Sequence, residues 1–429
     1  MVGGGSPPTL AQLSSMRLLY FAAHQLWPLT SGNRLRDYYL ARELAKRASV
    51  TFVEMCHPGE KPSRLPVDCK FEEIISLKKG TGYTPNKIVR GIVGPVPLTV
   101  LNYFQSGSAS QLANLLARRR FDTIQVEGVH LSKYLPMIQS APIPPAILID
   151  WHNIESELMS QYSGYQAVWP KKLLATRTAS LLERTENSLL EGCATHTVPS
   201  AREREKLLVR GPSAKLHVIP NGVDTVFFSP DAIAELQRTA GGSVPRRSIL
   251  FVGSMDYHAN IDAVCWFARE VWPAIAQKHP ELEFKVVGRR PSSAVRRLAS
   301  DRVRIIGTVE DVRPFYASAI AVVVPLRVGS GTRLKILEAM AAGVPIVSTS
   351  LGAAGIDATH NVHLLLANTN GEIVAALEQI VSSGETSSRL TMAARDLVLR
   401  RYDWVAVGEE LFRIHTNLAG PTRKPVTES

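Results

Sequence analysis

The sequence predicts two doubly wound α/β domains, each a parallel sheet wrapped by helices. Three observations carry this. The 429 residues exceed what one hydrophobic core ordinarily supports. Short β-rich runs alternate with helical patterns, as βαβ units require. The same rhythm occurs twice, on either side of a turn-rich segment between Asn221 and Arg247. A hydrophobic content of 45% with 20% charged residues fits a globular chain, and no apolar run is long enough to span a bilayer.

In the first half, Arg17–Ala22 reads as an apolar strand, followed by a loop and an amphipathic helix from about Leu35 to Arg47. Val50–Met55, Thr123–Val126, Ala146–Ile149 and Ala194–Val198 read as further strands, and Ser110–Arg120 and the stretch after Pro170 as helices. In the second half the strands are Ser248–Val252, Glu283–Val287, Val303–Ile306, Ile320–Val324 and Pro345–Ser348. The helices there are Ile261–Gln277, Thr332–Ala342 and a C-terminal pair broken near Tyr402 and Asp403. The expected organisation is a disordered leader (1–13), an N-terminal domain (14–220), a C-terminal domain (221–402), a helix over 403–418 packing back on the N-terminal domain, and a disordered tail (419–429). Doubly wound domains bind ligands at the carboxyl ends of their strands, so two set face to face would put both loop sets on one cleft.

Charge is uneven. Residues 1–220 hold 26 Lys and Arg against 17 Asp and Glu, whereas residues 221–429 hold 23 against 21. The basic first half fits an anionic partner (an anionic membrane, a lipid phosphate or an acidic glycan) or a merely solvated surface. No basic stripe is interleaved with aromatics, which argues against nucleic acid. Cys56, Cys69, Cys193 and Cys265 are widely spaced, so free thiols in a reducing cytoplasm are expected rather than a zinc site or a disulfide framework. Ile88–Phe104 is apolar and broken by Gly and Pro, and Tyr165–Lys172 mixes aromatic and basic residues. The first reads either as core packing or as a surface dipping into a lipid interface, and the second shares that ambiguity.

The chemistry concentrates in Val322–Ile356, where a buried strand ends at Pro325 and a loop, Val328-Gly329-Ser330-Gly331-Thr332, opens a helix. The glycines let backbone N–H groups approach an anion, and the helix start is partially positive. Arg333 and Lys335 add two cations, which makes this a diphosphate site on physical grounds. At about 100° per residue, Gly331, Lys335, Glu338 and Ala342 share one stripe outside the apolar arc. Glu338 would repel phosphate but can accept hydrogen bonds from a ribose diol; alternatively Lys335 and Glu338 form a plain i,i+3 surface pair. In the first half, His152 ends a strand in IDWHN and either can hydrogen-bond a ligand hydroxyl or position charge, or is a satisfied loop histidine. Glu127 and His130 follow another strand and are candidates for acceptor contacts or for turn roles. There are no paired carboxylates for a hydrolase, no D-x-D for a metal, no G-x-S-x-G elbow and no G-x-G-x-x-G fingerprint.

The Val322–Ile356 segment resembles the donor-binding motif of family 4 glycosyltransferases, which share the GT-B fold of two Rossmann-like domains. VIPNGVDTVFF (Val218–Phe228) and FVGSMDYHANIDAVCWF (Phe251–Phe267) are similar to stretches of the same family. The resemblance implies a retaining, metal-independent transfer from a nucleotide-diphosphate sugar to a glycan or lipid-linked acceptor, in cell-surface or secreted polysaccharide assembly on the cytoplasmic face. Glu338 matches the second glutamate of the family's E-x7-E motif, which holds the ribose, and Arg333 and Lys335 lie where phosphates would bind. His152 matches a histidine that contacts the donor sugar near the reacting carbon. Gly32, in PLTSG (Pro28–Gly32), resembles the glycine loop that approaches the donor phosphate, with an ordinary turn glycine as the alternative. By the same resemblance Gly253 and Ser254 fall in the donor loop, the C-terminal domain is donor-binding and the N-terminal domain is acceptor-binding.

Three positions depart from the family pattern. Ser330 replaces the first glutamate of the motif, Ser254 stands where relatives carry Arg, and Ala354 stands where relatives often carry Glu. For the missing charge at Ser254, Arg333 is the expected substitute. Two other functions fit the same residues: a sugar-nucleotide epimerase, and a non-catalytic nucleotide-binding subunit of a polysaccharide assembly complex.

Overall fold

The computed structural model describes residues 16–420 apart from 30, 58, 61–62, 64–68, 81, 165–167, 194, 240–244 and 330–332. The leader, nearly all of the tail, and Ser330, Gly331 and Thr332 therefore lie outside the described residues. Contacts divide the chain into two units, one running to Pro220 and resuming at Val407, the other spanning Asn221–Ala406.

The first unit holds a seven-stranded sheet, ordered β3-β2-β1-β4-β5-β6-β7. Its strands are β1 (Arg17–Ala22), β2 (Ser49–Cys56), β3 (Glu73–Lys78), β4 (Thr123–Glu127), β5 (Ala146–Asp150), β6 (Thr195–Val198) and β7 (Lys215–Val218). Every pairing is parallel. The β-branched and aromatic runs of the inner strands β1, β2, β4 and β6 are buried on both faces, as helix-covered parallel sheets are. Leu19, Phe21, Val53, Ile124, Val126 and Ile149 form the centre of the core, each contributing on the order of 1.5–3 kcal/mol by burial. Strand order reverses between β1 and β4, so the carboxyl ends of these neighbours define the unit's switch point.

The helix after β1 starts at Gly32, three residues before the expected Leu35, and ends at Ala45. Ser31 is its N-cap and accepts a hydrogen bond from the Arg34 N–H, satisfying a donor that would otherwise be orphaned. The helix Trp404–Ala419 closes the first unit. From Val407 onward it belongs to that unit, where Gly408 packs so closely on Glu43 that a Cβ would fall 2.3 Å from the Glu43 Cβ. One turn of chemistry anchors its far end. The buried His415 ring meets Thr123 Oγ1 and Gln125 Oε1, both at 3.0 Å, and burial pushes its pKa down to about 3.

The second unit holds a six-stranded sheet, ordered β10-β9-β8-β11-β12-β13. The strands are β8 (Ser248–Val252), β9 (Glu283–Val287), β10 (Val303–Gly307), β11 (Ala319–Val324), β12 (Ile346–Ser348) and β13 (Leu365–Leu366), again all parallel. The expected helix Ile261–Gln277 is His258–Trp266 continued through a π-helical turn, Phe267–Val271, into Trp272–Lys278. Pro273 sits in the first turn of that last segment, and the widened turn accommodates its missing N–H. Here the switch point lies between β8 and β11. No described helix is long and apolar enough to cross a membrane.

Candidate functional site

In the second unit the switch point gathers the loop after β8, the loop after β11 and the start of the helix Leu334–Ala341. Lys335 is the hub. Its Nζ donates to Asn260 Oδ1 at 2.9 Å and lies 4.0 Å from the centre of the Phe251 ring. Asn260 Nδ2 in turn donates to the Ser254 carbonyl at 2.8 Å. The ammonium lies against Gly253, where an added Cβ would sit 2.7 Å from it. Gly329 is left-handed (φ +107), with Tyr257 Oη 2.9 Å from where its Cβ would be. Burial, reinforced by Arg333, lowers the Lys335 pKa to about 7. Arg333 is itself 8% exposed, beside Tyr257. A lysine and an arginine held largely out of water at a switch point are suited to binding an anion.

Glu338 lies one turn on. Tyr316 Oη donates to its Oε2 at 2.7 Å, and burial raises its pKa. Both Lys335 and Glu338 are half-buried, as their shared helical stripe requires.

Sequence reasoning assigned the cation missing at Ser254 to Arg333. The structure brings a different one to that residue. Arg289, just past β9, donates from Nε to Ser254 Oγ at 2.9 Å, and Ser254 Oγ donates to Asp256 Oδ1 at 2.6 Å. Gly288 permits this crossing, since a Cβ there would fall 1.7 Å from the Gly253 carbonyl oxygen. The only signal in the sequence was a glycine followed by two arginines after a strand.

In the first unit, His152 follows β5 with its side chain 7% exposed, ringed by carboxylates. Nδ1 lies 3.0 Å from Glu127 Oε1, and Nε2 lies 3.3 Å from Asp37 and 3.6 Å from Asp150. These are ion-pair distances without hydrogen-bond alignment. Despite desolvation the surrounding carboxylates raise the His152 pKa well above its usual value, favouring imidazolium. The same cation holds Glu127 down to about 2. Asp37, fully buried, is pushed up to about 7 by desolvation and then by Glu127. Asp150 stays low because Arg36 forks across both its oxygens, at 3.1 and 2.9 Å.

Glu127 closes the switch point by accepting from the Ala23 N–H at 2.7 Å, which ties β1 to β4. Glu127 thus meets the Ala23 N–H through one oxygen and faces His152 with the other. His130 sits with its ring centre 4.8 Å from that of Tyr103, and burial lowers its pKa to about 4. Gly32 begins an exposed helix end. Asp37, Glu127 and His152 also offer three potential metal-ligand atoms within 4.8 Å of one another. The raised His152 pKa, however, favours protons on the ring nitrogens a metal would need.

Two parallel Rossmann-like units, one with buried cations and a carboxylate at its switch point, define a protein of the GT-B class. Residues 38–227 match the family described as Glycosyltransferase Family 4, and residues 246–383 match that described as Glycosyl transferases group 1. The chain belongs to the family 4 glycosyltransferases. It is 28% identical over 222 residues to a phosphatidyl-myo-inositol mannosyltransferase of Mycobacterium tuberculosis, covering 48% of this chain and 55% of that protein. It is 24% identical over 177 residues to an uncharacterized 44.6 kDa protein in the cps region of Klebsiella pneumoniae, covering 39% and 45%. The chain spans about half the length of the curated relatives it matches. Among solved structures, sucrose-phosphate synthase from Thermosynechococcus elongatus superposes with a TM-score of 0.68 at 17% identity, covering 94% of this chain and 99% of that one. Anabaena HepE in complex with UDP superposes at 0.64 and 16%, covering 93% and 99%. These likenesses show the shared fold.

Proposed function

We propose that the protein is a retaining glycosyltransferase that moves a sugar from a nucleotide-diphosphate sugar to a glycan or lipid-linked acceptor in cell-surface or exopolysaccharide assembly. The observation that carries this reading is Lys335, whose ammonium donates to the neutral Asn260 side chain and lies over the Phe251 ring beside Gly253 at a switch point. A diphosphate is the ligand such a cation lacks. The family membership supports the donor class, and the lipid-linked acceptor draws on the phosphatidyl-myo-inositol mannosyltransferase relative.

In this reading the second unit binds the donor: diphosphate on Gly329–Lys335, ribose on the Glu338 oxygen that Tyr316 leaves open. Arg333 and Lys335 stabilise the departing nucleoside diphosphate as negative charge develops on it. The acceptor hydroxyl attacks the anomeric carbon from the leaving-group side while the C–O bond to the diphosphate breaks. The hydroxyl proton passes to a diphosphate oxygen, so the anomeric configuration is retained. His152, held as imidazolium, contacts the donor sugar, and Glu127 keeps it oriented. The protein works at the cytoplasmic face of the membrane, and its basic first half meets an anionic surface.

A thermal-shift panel of UDP, GDP, ADP and their sugars tests the donor site. One nucleotide series should raise the melting temperature by mass action, and Glu338→Ala should lose that response. No shift with any nucleotide at saturation would sink the reading. Binding without turnover by any acceptor would instead favour a non-catalytic subunit.

Arg289 gives a second prediction. If it replaces the charge missing at Ser254, Arg289→Ala weakens nucleotide diphosphate binding by about tenfold, the scale of one partly exposed charge-assisted contact. It should leave nucleoside binding unchanged. Equal loss for nucleoside and diphosphate, by titration calorimetry, would assign Arg289 to loop structure instead.

A further inference from the structure

Two segments distant in sequence converge in the first unit. The helix Pro85–Val93 and the helix Trp169–Gly192 pack together, and Arg177 donates to the Gly94 carbonyl at 3.3 Å, pinning the end of the first helix to the second. Trp169, Leu173 and Arg177 lie at i, i+4 and i+8, on one stripe of that second helix. The Val93 end is therefore neighbour to an apolar stripe. These side chains are not covered: Trp169 is 72% exposed, Val93 76%, Leu173 56% and Ile92 51%. Soluble surfaces seldom leave a Trp and a cluster of aliphatics so exposed.

The adjacent face of the same helix lines a cavity of about 380 Å³ with Ile88, Leu98, Met159, Leu174 and Ala175, and the half-exposed Tyr83 and Tyr162 stand at it. That lining is mostly apolar and large enough for a hydrocarbon chain.

Charge indicates the occupant. From residue 74 to residue 121 the chain has no Asp or Glu, and Lys87 and Arg90 lie on the first helix. From residue 158 to residue 182 it again has none, with Lys171, Lys172 and Arg177. Arg90, Lys171 and Lys172 are exposed on the two helices themselves. Exposed Trp and aliphatics flanked by cations without anions match the boundary of an anionic bilayer, where the ring sits among headgroups and lysines reach the phosphates.

We propose that the helices Pro85–Val93 and Trp169–Gly192 dock on an anionic lipid bilayer and that the cavity between them receives one hydrocarbon chain from it. This deepens the reading of a lipid-linked acceptor and rests on that reading for its role in transfer. The docking itself requires no nucleotide.

Flotation with vesicles of equal phosphatidylglycerol and phosphatidylcholine, against phosphatidylcholine alone, tests it. The full chain should float with the anionic vesicles and bind the neutral ones at least about tenfold more weakly. Trp169→Ala with Leu173→Ala, both exposed and so harmless to the fold, should weaken anionic binding at least about tenfold. Lys171→Glu with Lys172→Glu should do the same. Trp169 fluorescence should be quenched by phosphatidylglycerol with brominated chains, and Trp169→Phe should remove that quenching. Ala175→Leu, which fills the cavity, should weaken binding several-fold.

No anionic preference, or unchanged binding by the Trp169/Leu173 variant, overturns the docking surface. Unchanged binding by Ala175→Leu, with its melting temperature intact, overturns the chain in the cavity. The nucleotide thermal shift on the same samples separates the two readings: its loss with vesicle binding intact counts against the transferase, not against the surface.

Discussion

Lys335→Met should lower kcat/KM by about a thousandfold, the scale of removing a preorganised charge-stabilising donor from a site that excludes water. The methionine keeps the packed stem over Phe251 while deleting the charge. The fold should not suffer. Lys335 has its pKa depressed to about 7 by burial and by Arg333, so its charged form is a cost to the empty protein. The melting temperature without ligand should therefore stay level or rise at neutral pH, which separates this residue from a structural one.

The same depressed pKa predicts proton linkage. A bound diphosphate would favour the ammonium and raise its pKa, so nucleotide diphosphate binding should take up close to one proton at pH 8, where the free lysine is mostly neutral. Affinity should then fall as pH rises above about 7, towards the pKa of the bound state. Calorimetry in buffers of different ionisation enthalpy reads the uptake directly. No uptake at pH 8, or uptake that persists in Lys335→Met, would remove the lysine from the phosphate site.

The clustering of Arg333, Lys335 and Glu338 was legible because it is local. A glycine loop, two cations and Glu338 lie within one strand–loop–helix, and the helical period alone places Lys335 and Glu338 on a common stripe. Arg289 was not legible, because only the pairing of β8 with β9 brings it to Ser254. The strands with continuous apolar runs were read within a residue or two. The short edge strands β3 and β13 were missed, since six half-buried residues and two residues carry little pattern. The His152 cluster was half legible. His152 and Glu127 end strands, but Arg36 and Asp37 come from a helix expected to be merely amphipathic. Their signal was present in its spacing: Arg36, Leu40 and Glu43 fall at i, i+4 and i+7 on the buried face, where charges are rare unless paired. Knowing their partner required the order β1-β4-β5 of the folded sheet. The proposed docking surface shows the same limit, for each of its segments is ambiguous alone and acquires meaning only from their contact.

His152→Ala should reduce kcat by about two to four orders of magnitude, the range for a side chain that positions charge at the reacting centre. It should also cost stability, and the pH dependence distinguishes the cause. His152 has a raised pKa, so its stabilising share is complete below its unfolded value near 6.5 and is lost as pH rises through the folded value. Glu127, depressed to about 2, contributes stability above its usual 4.5 that is lost as pH falls through about 2. Removing the imidazolium leaves Glu127 as a buried, uncompensated carboxylate, a cost of about 3–5 kcal/mol for breaking such a pair. The deficit should thus be widest between about pH 5 and 7. It should narrow in acid, where Glu127 in the variant can protonate, and again in alkali, where wild-type His152 loses its charge. Urea unfolding of both proteins across that range measures it. A deficit constant with pH would mean that the loss is a packing defect and that the ion-pair cluster contributes nothing. Glu127→Gln completes the argument, because it keeps shape while removing the nearest anion. If Glu127 acts by holding His152 charged, the alkaline limb of the kcat profile should move to lower pH while KM for the donor changes little. A profile unmoved in pH but lowered in height would reassign Glu127 to contact with the substrate itself.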